Sequence, residues 1–201
     1  MINLSLVLQN KLKRIDMNEI YEPAEDSYLM SEALGAELPE LLSKNPQLKL
    51  LEIGVGSGIN LNIAKDAGIK IKNIFGCDIN NEAVNHCRKL GFNCIKSNLF
   101  GEVNGKFNVI IFNPPYLPED EREPKDSRLT TTGGLQGNEL TIKFLKEAKE
   151  HLSKDGRIFL ITSSLASSIN FNLLGYLAGV LLSEKLFFEK LTAWELSLNS
   201  K

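Results

Sequence analysis

Short apolar runs alternate with amphipathic stretches along most of the chain. Five runs have the length of buried strands, namely 48–53, 74–79, 93–99, 107–112 and 157–163. Three stretches repeat apolar residues at helical spacing and are followed by glycine, namely 59–67, 81–90 and 140–152. This alternation predicts an α/β, Rossmann-like fold with a mostly parallel sheet and helices on both faces.

The C-terminal part of the chain breaks this alternation. The apolar run from Leu173 to Leu182 is about half of the roughly 20 residues that a membrane span needs, and it predicts a buried helix around residues 170–182. Two strand-like stretches follow, the second from Thr192 to Leu198, and they predict an antiparallel hairpin. We therefore expect a seven-stranded sheet in a single domain, residues 1–201.

The first apolar run leads into a glycine-rich loop, Glu52-Ile53-Gly54-Val55-Gly56-Ser57-Gly58. Glycine lets the backbone approach a ligand closely. A dinucleotide fingerprint requires glycine at position 59, where this chain has Ile59, so a nicotinamide cofactor is disfavoured. An acidic residue beside such a loop suits a cationic ligand, which favours S-adenosylmethionine.

Polar residues also end the next two predicted strands. Asp78 lies 20 residues beyond Gly58, where a carboxylate can accept hydrogen bonds from both ribose hydroxyls; a capping role for the following helix is the alternative. Asn98 and Leu99 end the third strand, where a side-chain oxygen can accept the adenine amino group. Asparagine is also a common turn residue, and that alternative stays open for Asn98.

The fourth strand leads directly into Asn113-Pro114-Pro115-Tyr116. Consecutive prolines fix φ and stiffen the backbone that carries the asparagine. If the Asn113 side-chain oxygen and the Pro114 carbonyl accept the hydrogens of a planar nitrogen, they localise its lone pair and orient it for methyl transfer. Tyr116 is then expected to pack against the planar group. Two prolines can also simply end a strand, but their spacing after the glycine loop favours chemistry.

Composition narrows the range of partners. The formal net charge is -2, which disfavours nucleic acid as the main partner. Cys77, Cys87 and Cys94 lack a metal-binding spacing and predict buried, reduced thiols, so no metal site is expected. The N-terminus has no basic region or cleavage site typical of a signal peptide, which predicts a cytoplasmic protein.

Two further features are given no catalytic role. The acidic residues Glu25, Asp26, Glu119, Asp120 and Glu121 are interpreted as solvated charges. The segment 117–138 is rich in proline, glycine, threonine and charge, and is predicted to be the loop on the substrate side.

The motifs together resemble the HemK/PrmC family of protein glutamine methyltransferases. The resemblance is carried by Leu51-Glu52-Ile53-Gly54, Cys77-Asp78-Ile79-Asn80, Asn113-Pro114-Pro115-Tyr116 and Phe188-Glu189-Lys190-Leu191. The segment Tyr21-Glu22-Pro23-Ala24-Glu25-Asp26-Ser27 resembles the signature of the eukaryotic and archaeal branch, which lacks the bacterial N-terminal helical domain.

This resemblance implies methylation of the side-chain amide of the glutamine in the Gly-Gly-Gln motif of a release factor, with S-adenosylmethionine as cofactor. It implies cofactor contacts from Ser27, where threonine is usual, and from Ile79 beside Asp78. Asn98 stands where the family usually has aspartate. A small zinc-binding activator protein is also implied at the exposed edge of the third strand, with Phe92, Cys94 and Ile95 as candidate contacts.

Two other functions stay open. The same Asn-Pro-Pro-aromatic motif serves the exocyclic nitrogens of adenine and guanine, although flipping a base needs a basic groove or a recognition domain that the sequence does not indicate. A non-catalytic binding module with the same fold is the other alternative. The intact Asn113 and Asp78 argue against it.

Overall fold

A computed structural model describes residues 20–120 and 131–199. The described residues form four α-helices, α1 (Glu25–Lys44), α2 (Ile59–Asp66), α3 (Asn81–Lys89) and α4 (Glu139–His151), and a 3-10 turn at Ile71–Asn73. They also form nine strands, β1 (Leu50–Ile53), β2 (Ile74–Asp78), β3 (Asn93–Lys96), β4 (Phe107–Phe112), β5 (Leu117–Pro118), β6 (Thr132–Gly134), β7 (Leu152–Ser163), β8 (Tyr176–Lys185) and β9 (Lys190–Leu198).

Seven of these strands form one sheet in the order β3-β2-β1-β4-β7-β9-β8. The first five are parallel to one another, and β9 runs antiparallel between β7 and β8. The predicted seven-stranded, mostly parallel sheet with a C-terminal antiparallel hairpin is therefore confirmed. β5 and β6 form a separate parallel pair shortly after β4.

The central strands are apolar because both of their faces are covered. All four residues of β1 are buried, and so are Val109, Ile110 and Ile111 of β4. Ile53, the last residue of β1, lies between Cys77 of β2 and Phe112 of β4 in the parallel register. The residues that follow these three strands consequently meet at one edge of the sheet.

Helices cover the two faces of the sheet, as predicted. One core cluster joins the sheet to α1, α2 and α3, and the other joins it to α4 through Phe144 and Leu145. The three cysteines are buried and form no disulfide, as predicted. Within the described ranges, no helix is long and apolar enough to cross a membrane.

Local signals explain where α3 begins and ends. The side chain of Asn80 accepts a hydrogen bond from the Glu82 amide at 2.9 Å, which satisfies one of the free N–H groups of the first turn. Basic side chains occupy the last turn, and Gly91 follows with a φ of 93°. The helix predicted at residues 81–90 is thus confirmed to within one residue.

No element was predicted for residues 25–44, where the structure has α1. Its buried stripe of Leu29, Met30, Ala33, Leu34 and Leu38 follows helical spacing and packs against the sheet. The usual boundary signals are weak, because the N-cap residue is alanine and makes no side-chain bond, and a proline lies inside the helix.

The helix predicted around residues 170–182 is wrong. The structure has β8 over most of this run, and Ala178 and Val180 pair with Leu196 and Trp194 of β9. A short apolar run fits either a helix or a strand, and periodicity alone does not separate them. Pairing with β9, which the run itself does not encode, decides for the strand.

The edge position of β3 is confirmed, but two of its three predicted contacts need correction. Phe92 and Cys94 are only 4% and 3% exposed, because their side chains point into the core cluster formed with α3. Alternate residues of a strand face opposite sides, and Ile95 accordingly is 39% exposed. As side-chain contacts Phe92 and Cys94 are excluded by their burial, which leaves them only their backbone to offer a partner, and Ile95 remains as a candidate.

Candidate active site

The glycine loop after β1 has the backbone that close approach to a ligand requires. Gly54, Gly56 and Gly58 have φ values of 72°, 46° and 76°, a region that L side chains adopt rarely. α2 begins immediately after Gly58. The loop is therefore shaped by glycine rather than by side-chain packing.

Glu52 is a buried acid, 2% exposed, at the base of this loop. Its Oε1 atom accepts a hydrogen bond from the Asn60 side chain at 2.8 Å, and the Asn60 oxygen accepts one from Ser31 at 3.1 Å. Its Oε2 atom is buried and has no hydrogen-bond partner. Burial raises the pKa of this carboxyl well above its usual range. A cationic group bound beside Oε2 would stabilise the charged form.

Asp78 ties the end of β2 to the glycine loop. Its Oδ2 atom accepts a hydrogen bond from the Gly56 amide at 3.0 Å, and its Oδ1 atom accepts one from the Asn80 amide at 2.8 Å. Asn80, not Asp78, caps α3. Burial raises the pKa of Asp78, and the backbone hydrogen bonds partly oppose that effect. Each oxygen keeps a lone pair for a ligand hydroxyl.

The residues predicted to surround an adenine differ in their exposure. Ile79 is 46% exposed and Asn98 is exposed, whereas Leu99 is only 6% exposed. Leu99 has a φ of 49°, which is uncommon for a residue other than glycine, and its carbonyl accepts a hydrogen bond from the Ser97 hydroxyl at 2.9 Å. Strained residues of this kind concentrate at ligand sites.

Asn113 follows β4 at the same edge of the sheet. Its Oδ1 atom is buried and, like Glu52 Oε2, has no hydrogen-bond partner. Leaving a buried acceptor unpaired costs about 1–3 kcal/mol. The asparagine that the sequence singled out as an acceptor thus has an acceptor atom that the described residues do not satisfy.

The loop after Asn113-Pro114-Pro115-Tyr116 is packed against it more closely than the sequence indicated. A Cβ atom at Gly133 would lie 2.6 Å from the Pro115 carbonyl oxygen, and one at Gly137 would collide with the Tyr116 carbonyl oxygen. These glycines therefore allow β6 and the turn after it to lie directly against the motif. Residues 121–130 of the predicted substrate loop, including Glu121, lie outside the described residues.

Tyr116 is buried within the core, at 4% exposure, and its hydroxyl donates to Asp26 Oδ2 at 3.2 Å. The Tyr21 hydroxyl lies 3.1 Å and 3.2 Å from the two Asp26 oxygens. Burial, with the nearby charges of Asp26 and Glu189, raises the pKa of Tyr116 well above its usual range. An acid therefore fixes the hydroxyl end of Tyr116, and a ring this deeply buried offers little surface for the predicted packing against the planar group of a substrate.

The interpretation of Asp26 as a solvated charge is wrong. Asp26 is 6% exposed and also accepts hydrogen bonds from the Ser27 amide at 2.6 Å and the Ser27 hydroxyl at 3.2 Å. Ser27, the predicted cofactor contact, is itself buried with its hydroxyl turned toward Asp26. Glu25, by contrast, is exposed, as expected.

A third buried acid, after Glu52 and Asp26, lies on the C-terminal side of the site. Glu189 is 7% exposed, and its Oε2 atom accepts a hydrogen bond from the Ser163 hydroxyl at 2.6 Å. Ser163 is the last residue of β7. Asp26 therefore ties the start of α1 to the catalytic motif, and Glu189 ties the turn before β9 to the end of β7, at the edge of the sheet where Asn113 lies.

Solved structures share the fold of this chain. The Mtq2-Trm112 complex of E. cuniculi, described as responsible for methylation of the eRF1 translation termination factor, superimposes with a TM-score of 0.64 at 21% identity over 89% of this chain and 98% of that one. A ribosomal protein L11 methylase from Lactobacillus delbrueckii subsp. bulgaricus gives 0.62 at 16% identity, over 92% and 84%. The fold is therefore that of the Rossmann-like S-adenosylmethionine-dependent methyltransferases.

Sequence comparison goes beyond this class. The chain is 38% identical to a putative protein N5-glutamine methyltransferase of Methanocaldococcus jannaschii, over 89% of this chain and 93% of that protein. It is 31% identical to the methyltransferase HEMK2 of Mus musculus over 72% of each. The chain belongs to the family of HEMK2-like protein N5-glutamine methyltransferases.

One family model matches a shorter part of the chain. It is described as Eco57I restriction-modification methylase and matches residues 90–174, which include the Asn-Pro-Pro-Tyr motif and α4. The match covers less than half of the chain, so it shows a likeness in the segment that carries the motif and does not assign the whole chain to that family.

Proposed function

We propose that this enzyme transfers a methyl group from S-adenosylmethionine to the side-chain amide nitrogen of a glutamine, within the Gly-Gly-Gln motif of a translation release factor. The observation that carries the proposal is the buried, unpaired Oδ1 atom of Asn113 at the edge of the sheet where the glycine loop lies. The relatives support the substrate class, since the Schizosaccharomyces pombe protein is named as the catalytic subunit of an eRF1 methyltransferase at 29% identity.

The residues at this edge fit the cofactor. The unpaired Oε2 atom of Glu52 suits the cationic amino group, and the free lone pairs of Asp78 suit the ribose hydroxyls. The remaining contacts are assigned to the glycine loop, Ser27, Ile79, Asn98 and Leu99. When bound, S-adenosylmethionine supplies an electrophilic methyl group on a sulfonium.

The catalytic motif prepares the glutamine amide for attack. An amide nitrogen is a weak nucleophile because its lone pair is delocalised into the carbonyl group. Asn113 Oδ1 and the Pro114 carbonyl accept its two hydrogens, which favours a localised lone pair and stabilises the positive charge that develops on nitrogen. As the new bond between nitrogen and the methyl carbon forms, the bond from that carbon to the sulfonium sulfur would break and leave a neutral thioether, and the nitrogen would lose one proton. Tyr116, held by Asp26, fixes the backbone that carries these acceptors.

A partner is part of the proposal. Among the described strands β3 pairs with β2 alone, and exposed apolar side chains lie on and around it at Ile95 and Leu90. We expect a small zinc-binding activator protein to bind along this edge of the sheet. We also expect the enzyme to act in the cytoplasm. Ile95→Glu should abolish co-purification of the two proteins, whereas Leu177→Glu on the opposite edge strand should not.

The matching stretch at 90–174 favours methylation of a nucleic-acid base as the second candidate, because it includes the motif that serves exocyclic nitrogens. The formal net charge of -2 disfavours it.

The test incubates the enzyme, alone and with the candidate activator, with labelled S-adenosylmethionine and a release factor. We expect label on the intact Gly-Gly-Gln motif and none on a Gln→Ala version or with Asn113→Ala enzyme. Label on RNA or DNA, with none on the release factor, would replace this proposal with base methylation.

A further inference from the structure

The turn between β8 and β9 carries two adjacent aromatic residues for which catalysis has no use. Phe187 is 92% exposed, and its ring meets that of Phe188 edge to face, with centroids 4.6 Å apart. Scattered apolar residues are normal on a protein surface. A phenylalanine in almost full contact with water beside a second ring is an apolar surface suited to a partner.

This turn lies at the same edge of the sheet as Asn113. Leu191, at the start of β9, pairs with Ser163 at the end of β7, and β7 runs parallel to β4. With about 4.8 Å between strands and about 3.3 Å per residue along them, Phe187 lies roughly 15–20 Å from Asn113. The aromatic residues therefore lie on the same side of the sheet as the catalytic motif, within reach of a protein substrate bound there.

The base of the turn is fixed. The Leu186 amide donates to the Glu189 carbonyl at 2.8 Å, and the buried Glu189 side chain accepts from Ser163. Leu186 packs against the core cluster that also contains Tyr116 and Leu191. The turn that carries the two rings is thus packed against the same core cluster as Tyr116 of the catalytic motif.

We propose that Phe187 and Phe188 bind an apolar side chain of the protein substrate, several residues away from the methylated glutamine. This inference rests on the proposed function. A glutamine side chain alone offers the motif an amide and two methylenes, so selecting one protein needs contacts elsewhere, and aromatic residues commonly supply them. A reach of roughly 15–20 Å corresponds to about five or six extended residues.

The experiment compares two substrates, the folded release factor and a five-residue peptide centred on its glutamine. Phe187→Ala should raise the KM for the release factor about 10-fold, with kcat and the Kd for S-adenosylmethionine unchanged. The five-residue peptide is too short to reach the turn, so its kinetics should not change. Phe188→Ala should act in the same direction.

Leu173→Ala provides the matched control. Leu173 is 85% exposed and precedes β8, whose first residue, Tyr176, pairs with Leu198 at the opposite edge of the sheet. An equal effect of Phe187→Ala on peptide and protein, an unchanged KM, or the same effect from Leu173→Ala would overturn the inference. Loss of self-association with Phe187→Ala, without a change in KM, would assign the surface to a second copy and overturn it as well.

Calorimetric binding of the release factor to the enzyme loaded with S-adenosylhomocysteine separates the two proposals. Binding that weakens with Phe187→Ala, in an enzyme that methylates no glutamine, would sink the proposed function alone. Glutamine methylation with binding insensitive to Phe187→Ala would sink this inference alone. If the unchanged enzyme neither binds nor methylates the release factor, both fail.

Discussion

Two buried carboxyl groups of this enzyme, Asp26 and Glu52, have contrasting surroundings. Asp26 accepts hydrogen bonds from both tyrosines and from Ser27, whereas Glu52 has Asn60 on one oxygen and nothing on the other. Because an unpaired buried acceptor costs about 1–3 kcal/mol, it marks a place where a ligand completes the structure. The satisfied acid instead supports the chain itself.

Asn113 belongs with Glu52 in this comparison, and Asn113→Ala should give the largest effect. Removing one preorganised hydrogen-bonding group should lower the rate of methyl transfer on the order of 100- to 1000-fold. Stability should stay the same or rise, because the unpaired acceptor disappears. Single-turnover assays and thermal unfolding measure the two effects. Asn104→Ala, in an exposed turn, is the control. A clear loss of stability would contradict a ligand-facing role.

Glu52→Gln should weaken S-adenosylmethionine binding by about 10- to 100-fold, the range expected for losing a charged hydrogen-bond acceptor. Isothermal calorimetry measures this affinity. The exposed Glu82→Gln should leave it unchanged. Equal affinities in the Glu52 variant and the unchanged enzyme would remove Glu52 from the cofactor site.

In the protein without ligand, Glu52→Gln should raise thermal stability, although it weakens cofactor binding. Burial raises the pKa of Glu52 above its ordinary value of 4.5, so the folded state holds this proton more tightly than the unfolded state. The resulting stability is present below pH 4.5 and is lost as the pH rises through the folded-state value. Glu52→Gln should therefore gain Tm relative to the unchanged enzyme as the pH rises above 4.5. A constant Tm difference across this range would contradict the buried, unpaired carboxyl.

Asp26→Asn should behave in the opposite way, with stability lost and cofactor affinity kept. An amide places a donor where tyrosine hydroxyls also donate, so unfolding free energy should fall by about 1–3 kcal/mol, or roughly 2–4 °C in Tm for each kcal/mol. Loss of kcat should be several-fold, with the Kd for S-adenosylmethionine unchanged. Glu25→Gln, the exposed neighbour, should change neither quantity.

Tyr116→Phe tests the support that Asp26 gives to the chain, and it should cause the smallest loss of stability. It removes one of the hydrogen bonds to Asp26 and keeps the ring, so about 0.5–1.5 kcal/mol of stability should be lost. In a double-mutant cycle with Asp26→Asn, the two losses should not add, because both variants disrupt the same bond. Additive losses would show that the hydroxyl and the acid act independently.

The features predicted from sequence are those encoded by neighbouring residues. The central strands are recognisable as continuous apolar runs because both of their faces are buried. Glu52, Asp78 and Asn113 each stand at or near the end of such a strand. Since parallel strands direct these ends to one edge, the site followed from the order of elements. Their assignment to cofactor and substrate atoms stays a prediction.

The features that sequence did not indicate depend on distant partners. Asp26 is buried because Tyr116, 90 residues later, donates to it, and no local pattern distinguishes it from the exposed Glu25. Residues 176–185 form a strand because β9 pairs with them. Phe92 and Cys94 are turned inward by packing against α3 and the core. Each outcome is decided by tertiary contacts that override local preference.

The place of β9 in the sheet has a consequence for biosynthesis. β9 follows every other described strand in sequence, yet it lies between β7 and β8, so β8 has no neighbour in the sheet until β9 has been made. At about 5–20 residues per second, an apolar strand waits on the ribosome with both edges open for a second or so. A nascent chain stalled just before Lys190 should therefore be a better chaperone client than one stalled after Leu198.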